Sequence, residues 1–371
     1  MADLYIGLMS GTSLDGIDAV LARFAPDQAI TVLAHQHQPF EPALRAELLA
    51  LNSPGDNESH RCALAANGVA RAYAALVQRL LRAGGHAPEQ IRALGAHGQT
   101  IRHRPGEFDG IGYSLQLLNG ALLAELSGVA VVCDLRSRDI AAGGQGAPLV
   151  PAFHRALFGR KDADIAVLNV GGISNISLLR RDGGTAGFDC GPGNCLMDHW
   201  IGIHRGQAYD ADGAWAASGR VLPELLAAML AEPFFRQQPP RSTGRDLFNA
   251  DWLTPLLARH APQAAAEDVQ ATLLELSAAS IAQSVQAWGP DCRELLVCGG
   301  GALNGRLMQR LQDLLPAQRV LGSEARGLPA MQVEAAAFAW LAMRFERGLA
   351  GNLSTVTGAA GPRLLGALYP A

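Results

Sequence analysis

The chain opens with an apolar strand pattern, Leu4-Tyr5-Ile6-Gly7-Leu8-Met9, that runs into a turn of hydroxyls and glycines, Ser10-Gly11-Thr12-Ser13-Leu14-Asp15-Gly16. It returns along Ile17-Asp18-Ala19-Val20-Leu21-Ala22-Arg23-Phe24. The same order recurs near the middle, where Ile165-Ala166-Val167-Leu168-Asn169-Val170 meets Gly171-Gly172 and returns along Ile173-Ser174-Asn175-Ile176-Ser177-Leu178-Leu179. Strand, glycine turn, strand, used twice, predicts two α/β halves that each begin with a hairpin. A tip of this composition can wrap a phosphate with backbone N–H groups and hydroxyls. Many hairpins carry Ser, Gly and Asp at the tip for turn geometry alone.

A third stretch narrows the chemistry. Gly187-Phe188-Asp189-Cys190-Gly191-Pro192-Gly193-Asn194 places one acidic side chain at the end of a short strand, directly before a stiff glycine-rich turn. The helix Cys195-Leu196-Met197-Asp198-His199-Trp200 follows, with Asn194 expected to cap its first turn. A carboxylate beside N–H groups that face an anion suits chemistry on a phosphate or a sugar. The plainer reading is a helix cap and a tight turn with an incidental Asp.

Composition removes several function classes. The 371 residues, 49% hydrophobic and 17% charged, suit a soluble globular protein with two domains. A net charge of -4 with no basic stripe gives no support for nucleic-acid binding, and no apolar run reaches a membrane span. Met1-Ala2-Asp3-Leu4-Tyr5-Ile6 enters a strand without a basic start or a cleavage site, so a cytoplasmic protein is expected. The six cysteines form no C-x-x-C pair and read as free thiols. His35 and His37 have no Cys or carboxylate near them in the chain, and no metal-ligand set is assigned. Lys161 is the single lysine among 30 basic residues. It is followed by Asp162, so no phosphate-binding G-x-x-x-x-G-K-[ST] loop exists, and lysine Schiff-base chemistry has no plausible residue.

Between these landmarks, 42–52 and 57–84 read as helices with apolar residues at helical spacing. His97-Gly98-Gln99-Thr100 stands just beyond the strand 91–96, where ligands sit in open α/β sheets. Asp134-Leu135-Arg136-Ser137-Arg138-Asp139 leads into Gly143-Gly144-Gln145-Gly146-Ala147-Pro148. Its charges form either a surface salt-bridge array or a site in which Arg makes the bidentate contact to a ligand. The stretch 205–265 reads as mostly helical, 267–287 as a long helix, and 331–347 as the last long helix, carrying Glu334. A buried strand 295–298 ends in Gly299-Gly300-Gly301. No fixed-period repeat occurs.

Glycines at 171–172, 191, 193 and 299–301 permit close backbone approach to a nucleotide, because no Cβ intrudes. Without a P-loop lysine, neutralisation falls to backbone N–H groups, arginines and Mg2+. With its two hairpin phosphate turns and late Gly-Gly-Gly loop, the chain resembles the actin/hexokinase/acetate-kinase superfamily. More narrowly, it resembles the anhydro-N-acetylmuramic acid kinases. The motifs that carry this are 7–16, 95–100, 139–151, 169–175, 187–194, Ser242-Thr243-Gly244-Arg245 and 297–301. Gln116-Leu117-Leu118-Asn119-Gly120 departs from the family pattern, which shows Gly and then Asn-Pro.

The resemblance implies an actin-like/hexokinase-like α/β fold of two domains with an active-site cleft between them, 1–145 with about 348–371 and 146–347. It implies opening of the 1,6-anhydro ring of the sugar by water and phosphorylation of O6 from ATP, in peptidoglycan recycling. Asp189 matches the catalytic base. Gly11, Thr12, Ser13, Leu14, Asp15, Gly16, Ile17 and Asp18 match the ATP-phosphate loop, with Gly171, Gly172, Asn175, Gly299, Gly300 and Gly301 also expected at the nucleotide. His97, Gln99, Arg136, Asp139, Gln145 and Glu334 are expected on the sugar side, although a glutamate on a helix is as often simply solvated. ATP and Mg2+ are the expected cofactors and a homodimer the expected assembly, with no nucleic-acid or membrane partner. The runner-up is another sugar or carboxylate kinase of the same superfamily. A non-catalytic nucleotide-binding regulator lacks support from any appended segment. A dinucleotide-binding reading fails on the spacing of Gly299-Gly300-Gly301-Ala302-Leu303-Asn304-Gly305.

Overall fold

The computed structural model describes residues 3–25 and 29–371. Met1 and Ala2, the start of the segment expected to enter the first strand, lie outside the described residues. The chain divides into two compact units, one running to Leu157 and resumed by Gln332–Ala371, the other Phe158–Met331.

The first unit holds a sheet of β1 (Asp3–Met9), β2 (Ile17–Phe24), β3 (Ile30–Gln38), β4 (Ile91–Ala96), β7 (Val131–Cys133) and β13 (Ala367–Tyr369) in the order β13-β7-β4-β1-β2-β3. β1, β2 and β3 form an antiparallel meander, and β4 and β7 add parallel to β1. A separate ribbon pairs β5 (Gln99–Pro105) with β6 (Gly112–Leu117). This hairpin is not legible in the sequence, where 101–105 reads as an unassigned segment.

The second unit repeats the plan. β8 (Asp164–Val170), β9 (Ile173–Leu179) and β10 (Thr185–Pro192) form an antiparallel meander, and β11 (Cys292–Cys298) and β12 (Arg319–Gly322) add parallel to β8, giving the order β10-β9-β8-β11-β12. The strand–turn–strand repeat in the sequence is thus the first third of one topology used twice. The stretch 205–265 is broken into short helices, including Pro223–Leu230 and Ala250–His260, rather than being mostly helical.

Each sheet is covered by helices chosen by its alternation of side chains. In the first unit Ile6, Leu8 and Leu21 point into a core filled by Val69, Tyr73, Leu76, Val77 and Leu80 of the helix Glu58–Gly84. Gly7 and Gly95 sit opposite each other on adjacent parallel strands and face the helix Val333–Glu346. A Cβ on Gly7 would lie 1.8 Å from the carbonyl oxygen of Ala335, and one on Gly95 1.9 Å from that of Phe338. The helix sequence Glu334-Ala335-Ala336-Ala337 complements this, since its small side chains let backbone approach backbone. In the second unit the helix Ala266–Trp288 is buried along most of its length against the core of β8, β9 and β10.

Gly95→Ala therefore forces a methyl group into a main-chain carbonyl that cannot rotate away. Overpacking of this kind typically costs about 1–3 kcal/mol and here falls at the upper end, against backbone that cannot give way, and urea denaturation followed by circular dichroism should show a midpoint well below wild type. An unchanged midpoint would mean that the helix does not lie on the sheet as described.

Candidate active site

In the second unit the site is built on β8, β9 and β10. Asn169, Asn175 and Asp189 stand opposite one another across the three strands, so their side chains share one face. The turn Gly171-Gly172 between β8 and β9 is latched to the turn after β10 by main chain alone. The Gly172 carbonyl accepts the amides of Gly193 (2.9 Å) and Cys195 (3.1 Å), and the Gly171 carbonyl accepts that of Asn194 (2.8 Å). A Cβ on Gly193 would meet the Gly171 oxygen at 2.4 Å, so glycine is required there. Because a trans peptide points its C=O and N–H in opposite directions, the Gly172 amide is turned away from the latch, where an anion can use it. Ser277 and Ser174 hold the carbonyls of Gly193 and Gly191 (2.7 and 3.1 Å). Asn194 does not cap the helix Cys195–Arg205 with its side chain, as its sequence position suggested. Its amide reaches back to the Val170 carbonyl at 3.3 Å and braces the latch instead.

Asp189 is clamped by residues 241–243. The Asp189 amide donates to the Arg241 carbonyl (3.1 Å), and Arg241 Nε donates to the Asp189 carbonyl (2.9 Å). The rest of the Arg241 guanidinium binds the carbonyls of Phe235 and Gln237 and the Ser284 hydroxyl. Asp189 Oδ2 accepts from Ser242 Oγ at 3.0 Å and from the Thr243 amide at 2.9 Å. Oδ1 receives no donor among the described residues. Burial raises the Asp189 carboxyl above its ordinary value, opposed by the Thr243 and Ser242 hydrogen bonds and by Arg241. Two residues further along the loop, Arg245 lies against the Gly172 turn, 3.2 Å from where a Cβ would stand. Gly299 closes the row at Asn169, whose Oδ1 would be 2.4 Å from a Cβ there. Gly300 is exposed and Gly301 packs on Val170.

In the first unit the turn Ser10–Gly16 is pinned from several sides. Leu14 is fully buried with φ at 57°, a conformation that bulky side chains rarely adopt, and Arg45 Nε holds its carbonyl at 2.9 Å. Ser10 Oγ donates to the Gly98 carbonyl (3.0 Å) and lies 2.8 Å from the Tyr73 hydroxyl. Gln99 Nε2 donates to the Gly11 carbonyl at 3.0 Å, while its buried Oε1 has no partner among the described residues. His97 Nδ1 lies 3.1 Å from the Ser10 carbonyl, and its Nε2 lies 2.8 Å from an Arg136 NH2 group. Arg136 also donates to the Gly146 carbonyl at 2.7 Å. No carboxylate pairs with it within 4.0 Å among the described residues, and burial pulls its pKa down to about 10, so it remains a cation.

Asp139 is fully buried and fully occupied. Oδ2 accepts the Gly146 amide (2.8 Å), and Oδ1 accepts Asn352 Nδ2 (2.6 Å) and Thr357 Oγ1 (2.7 Å). Asp139 therefore fastens the glycine loop to the C-terminal segment, and the surface salt-bridge array, one of the two readings of residues 134–139, does not form among the described residues. Gln145 is exposed on that loop. Asp18 lies across β2 and β3 from His35 and His37, at 3.0 and 3.2 Å, so these histidines do have a carboxylate neighbour, supplied by strand pairing. Asn119 caps the helix Gly120–Ser127, accepting from the Leu122 amide at 3.0 Å. The Tyr369 ring would be 2.6 Å from a Cβ on Gly120, which gives a physical reason for glycine at this departure from the family pattern. Among residues of the clamp and network, Arg241 and Tyr73 were not marked by the sequence, since their roles depend on contacts far along the chain.

Glu334, at the start of the helix Val333–Glu346, has its carboxyl raised to about 7 by burial and by Asp18 and Asp15, opposed by Arg136. It is half-buried rather than fully solvated. A carboxyl raised in the folded state from 4.5 to about 7 keeps its proton while the unfolded chain loses it. Its contribution to stability is then present below 4.5 and lost as pH rises through about 7. Thermal melts should show Glu334→Gln gaining on wild type between pH 5 and pH 8. Parallel curves would place Glu334 in water.

A repeated meander with parallel additions, glycine turns between the first strands and, in the second unit, a held carboxylate on the third strand make an arrangement suited to phosphoryl transfer. The chain belongs to the anhydro-N-acetylmuramic acid kinase family, whose model matches residues 3–371. Relatives called anhydro-N-acetylmuramic acid kinase include one from Variovorax paradoxus, 60% identical with 100% of this chain and 99% of that protein covered. Another, from Pseudomonas paraeruginosa, is 54% identical with 99% of each covered. Among solved structures, a ROK family glucokinase from Streptomyces griseus with glucose and AMPPNP is a remote likeness, at TM-score 0.38 and 14% identity, covering 91% of this chain and 99% of that one.

Proposed function

We propose that this kinase opens the 1,6-anhydro bridge of 1,6-anhydro-N-acetylmuramic acid with water and passes the γ-phosphoryl group of ATP to O6, with Asp189 as the base. The substrate and its place in cell-wall recycling follow from family membership. The observation that carries the role of Asp189 is the division of its carboxylate. Oδ2 is held by Ser242 and Thr243, and Oδ1 is left as an acceptor with one fixed direction. Oδ1 takes a proton from water as the water oxygen bonds to C1 and the C1–O6 bond breaks. O6, carrying the electron pair, attacks the γ-phosphorus, and ADP leaves. A base fixed by backbone and side-chain donors needs little reorganisation as the proton moves.

The Ser10–Gly16 turn and Asp18, the Gly171-Gly172 turn and the Gly299–Gly301 loop are assigned to ATP, with Asn175 in the row that leads to Asp189. Arg136 and Glu334 are assigned to the sugar. Gln99 and Asp139 support them by fixing the Gly11 carbonyl and the 143–146 loop, and Gln145 is the exposed polar group on that loop. Asp15 and Asp18 offer hard oxygen donors of the kind Mg2+ takes. Among the described residues no group of three or more His, Cys, Asp or Glu forms a metal cage. This suits an ion that keeps waters and phosphate oxygens as most of its shell. Bound there, Mg2+ would neutralise phosphate charge. A homodimer, as the family resemblance implies, and a cytoplasmic location, where ATP is available, complete the reading.

Incubation with ATP, Mg2+ and the anhydro sugar in ¹⁸O-water should place ¹⁸O at C1 of a 6-phosphosugar. Asp189→Asn should lose turnover by about a thousandfold or more while still binding ATP. ADP release driven instead by other sugars would leave the kinase class standing and remove this substrate.

Ser242→Ala deletes a donor that lowers the Asp189 carboxyl. The base form exists above the folded-state pKa, so the acidic limb of kcat/KM should move to higher pH. A limb that stays in place would detach Asp189 from the observed ionisation.

A further inference from the structure

His97 is nearly fully buried, and neither ring nitrogen is left over for a ligand. The partner of Nδ1 is a backbone carbonyl, that of Ser10, which only accepts. The partner of Nε2 is a guanidinium nitrogen of Arg136, which only donates. A single proton arrangement satisfies both, the neutral imidazole with hydrogen on Nδ1 and a lone pair on Nε2. The ring is wedged by Phe338, with centroids 4.9 Å apart, and its own amide donates to the Leu8 carbonyl at 3.0 Å. Burial and the nearby Arg136 charge push the His97 pKa down to about 3, in agreement with the neutral form.

One ring thus joins two features of different kinds. Ser10 opens the turn assigned to phosphate. Arg136 is a largely desolvated cation with no carboxylate within pairing distance among the described residues, fixed by His97 and by the Gly146 carbonyl alone. Glu334 and Asp139 act on it only from beyond pairing distance, so a ligand carboxylate in contact would offset the cost of its desolvation. The sugar of the proposed reaction carries a carboxylate on its lactyl group, which a guanidinium recognises well.

We propose that His97 is a positioning residue which, as the neutral Nδ1–H tautomer, sets the Arg136 guanidinium for the carboxylate of the sugar and the Ser10 carbonyl of the phosphate turn in one arrangement. The assignment of Arg136 rests on the function proposed above. The tautomer and the link rest on geometry alone. A histidine that touched the sugar itself would need a nitrogen that the protein does not already use.

Two measurements on the full chain test this. The first is ¹H–¹⁵N NMR of histidine-labelled wild type. It should show His97 with a proton on Nδ1 and a bare Nε2, unchanged from pH 8 to pH 5, and Arg136→Ala should disturb the Nε2 signal. A proton on Nε2, or titration near pH 6, overturns the link. The second is a double-mutant cycle on the KM for the anhydro sugar. His97→Ala should raise that KM roughly tenfold or more, and His97→Gln, whose carbonyl can still accept from Arg136, should recover part of it. The double variant with Arg136→Ala should be no worse than Arg136→Ala alone. Additive losses would mean that His97 acts on the sugar directly and overturn the positioning role. If His97→Ala does not fold, the cycle runs on His97→Gln under the same criterion. If wild type does not turn over the anhydro sugar, the substrate reading fails, and the tautomer measurement still decides whether His97 joins Ser10 to Arg136.

Discussion

The second unit depends on one backbone contact, the seat of Gly193 against the carbonyl of Gly171. Any side chain at 193 would enter that oxygen's radius. With glycine there, three amides reach two carbonyls and the β8–β9 turn is fused to the turn after β10. Several further features follow from that fusion. The Gly172 amide is directed outward, Asp189 is brought beside the turn on the same sheet face as Asn169 and Asn175, and the helix Cys195–Arg205 starts at a fixed point. The 241–243 clamp then needs to orient only one carboxylate, since the strand beneath it is tied by the β9 ladder and the latch.

Electrostatically, the two units solve different problems. Asp189 is a carboxylate partly removed from water, and the clamp donors work against the burial that raises it. A base that sat fully exposed would need no such donors. One buried without them would hold its proton and accept none. In the first unit the charges are more numerous and of both signs, with Asp18 and Asp15 raising the Glu334 carboxyl and Arg136 as the opposing cation. Glu334 is the group that gives way, since its carboxyl is pushed up to about 7, while Asp18 keeps histidine donors from β3.

Local signals in the sequence were read correctly where the structure is local. The two strand–turn–strand units, the Asp189 strand end, the long helices 57–84 and 331–347 and the late glycine loop all have short-range patterns of apolar period and turn residues. The β5–β6 ribbon was missed because its strands lack clean alternation, and β13 because three exposed residues carry no periodic signal. Long-range chemistry was the larger gap. Asp139 looked like a ligand contact because an Asp before a glycine loop often is one. Its partners Asn352 and Thr357 lie over two hundred positions away, and only folding reveals that its oxygens are occupied. Asn194 was assigned a cap by position, but the nearby Val170 carbonyl competes for its side chain. Asp18 faces His37 directly and His35 diagonally across the β2–β3 pairing, which spacing along the chain does not display.

The duplicated topology also shows a difference in how the two turns are held. Between β8 and β9 the turn is only Gly171-Gly172, and three main-chain bonds latch it, braced by the Asn194 side chain. Between β1 and β2 the turn spans Ser10–Gly16, which leaves more backbone to order than neighbouring carbonyls can restrain. That longer turn is held by side chains: Ser10 to Tyr73 and Gly98, Gln99 to Gly11, Arg45 to Leu14 and His97 to Ser10. Side-chain pins can be shared with a second task in a way that a glycine latch cannot, because each has a far end. His97 has such a far end in Nε2, and Arg136 meets it there. The longer first turn thus offers anchor points at which one ring meets both the Ser10 carbonyl and the Arg136 guanidinium, whereas the carboxylate beside the short second turn has a clamp of its own.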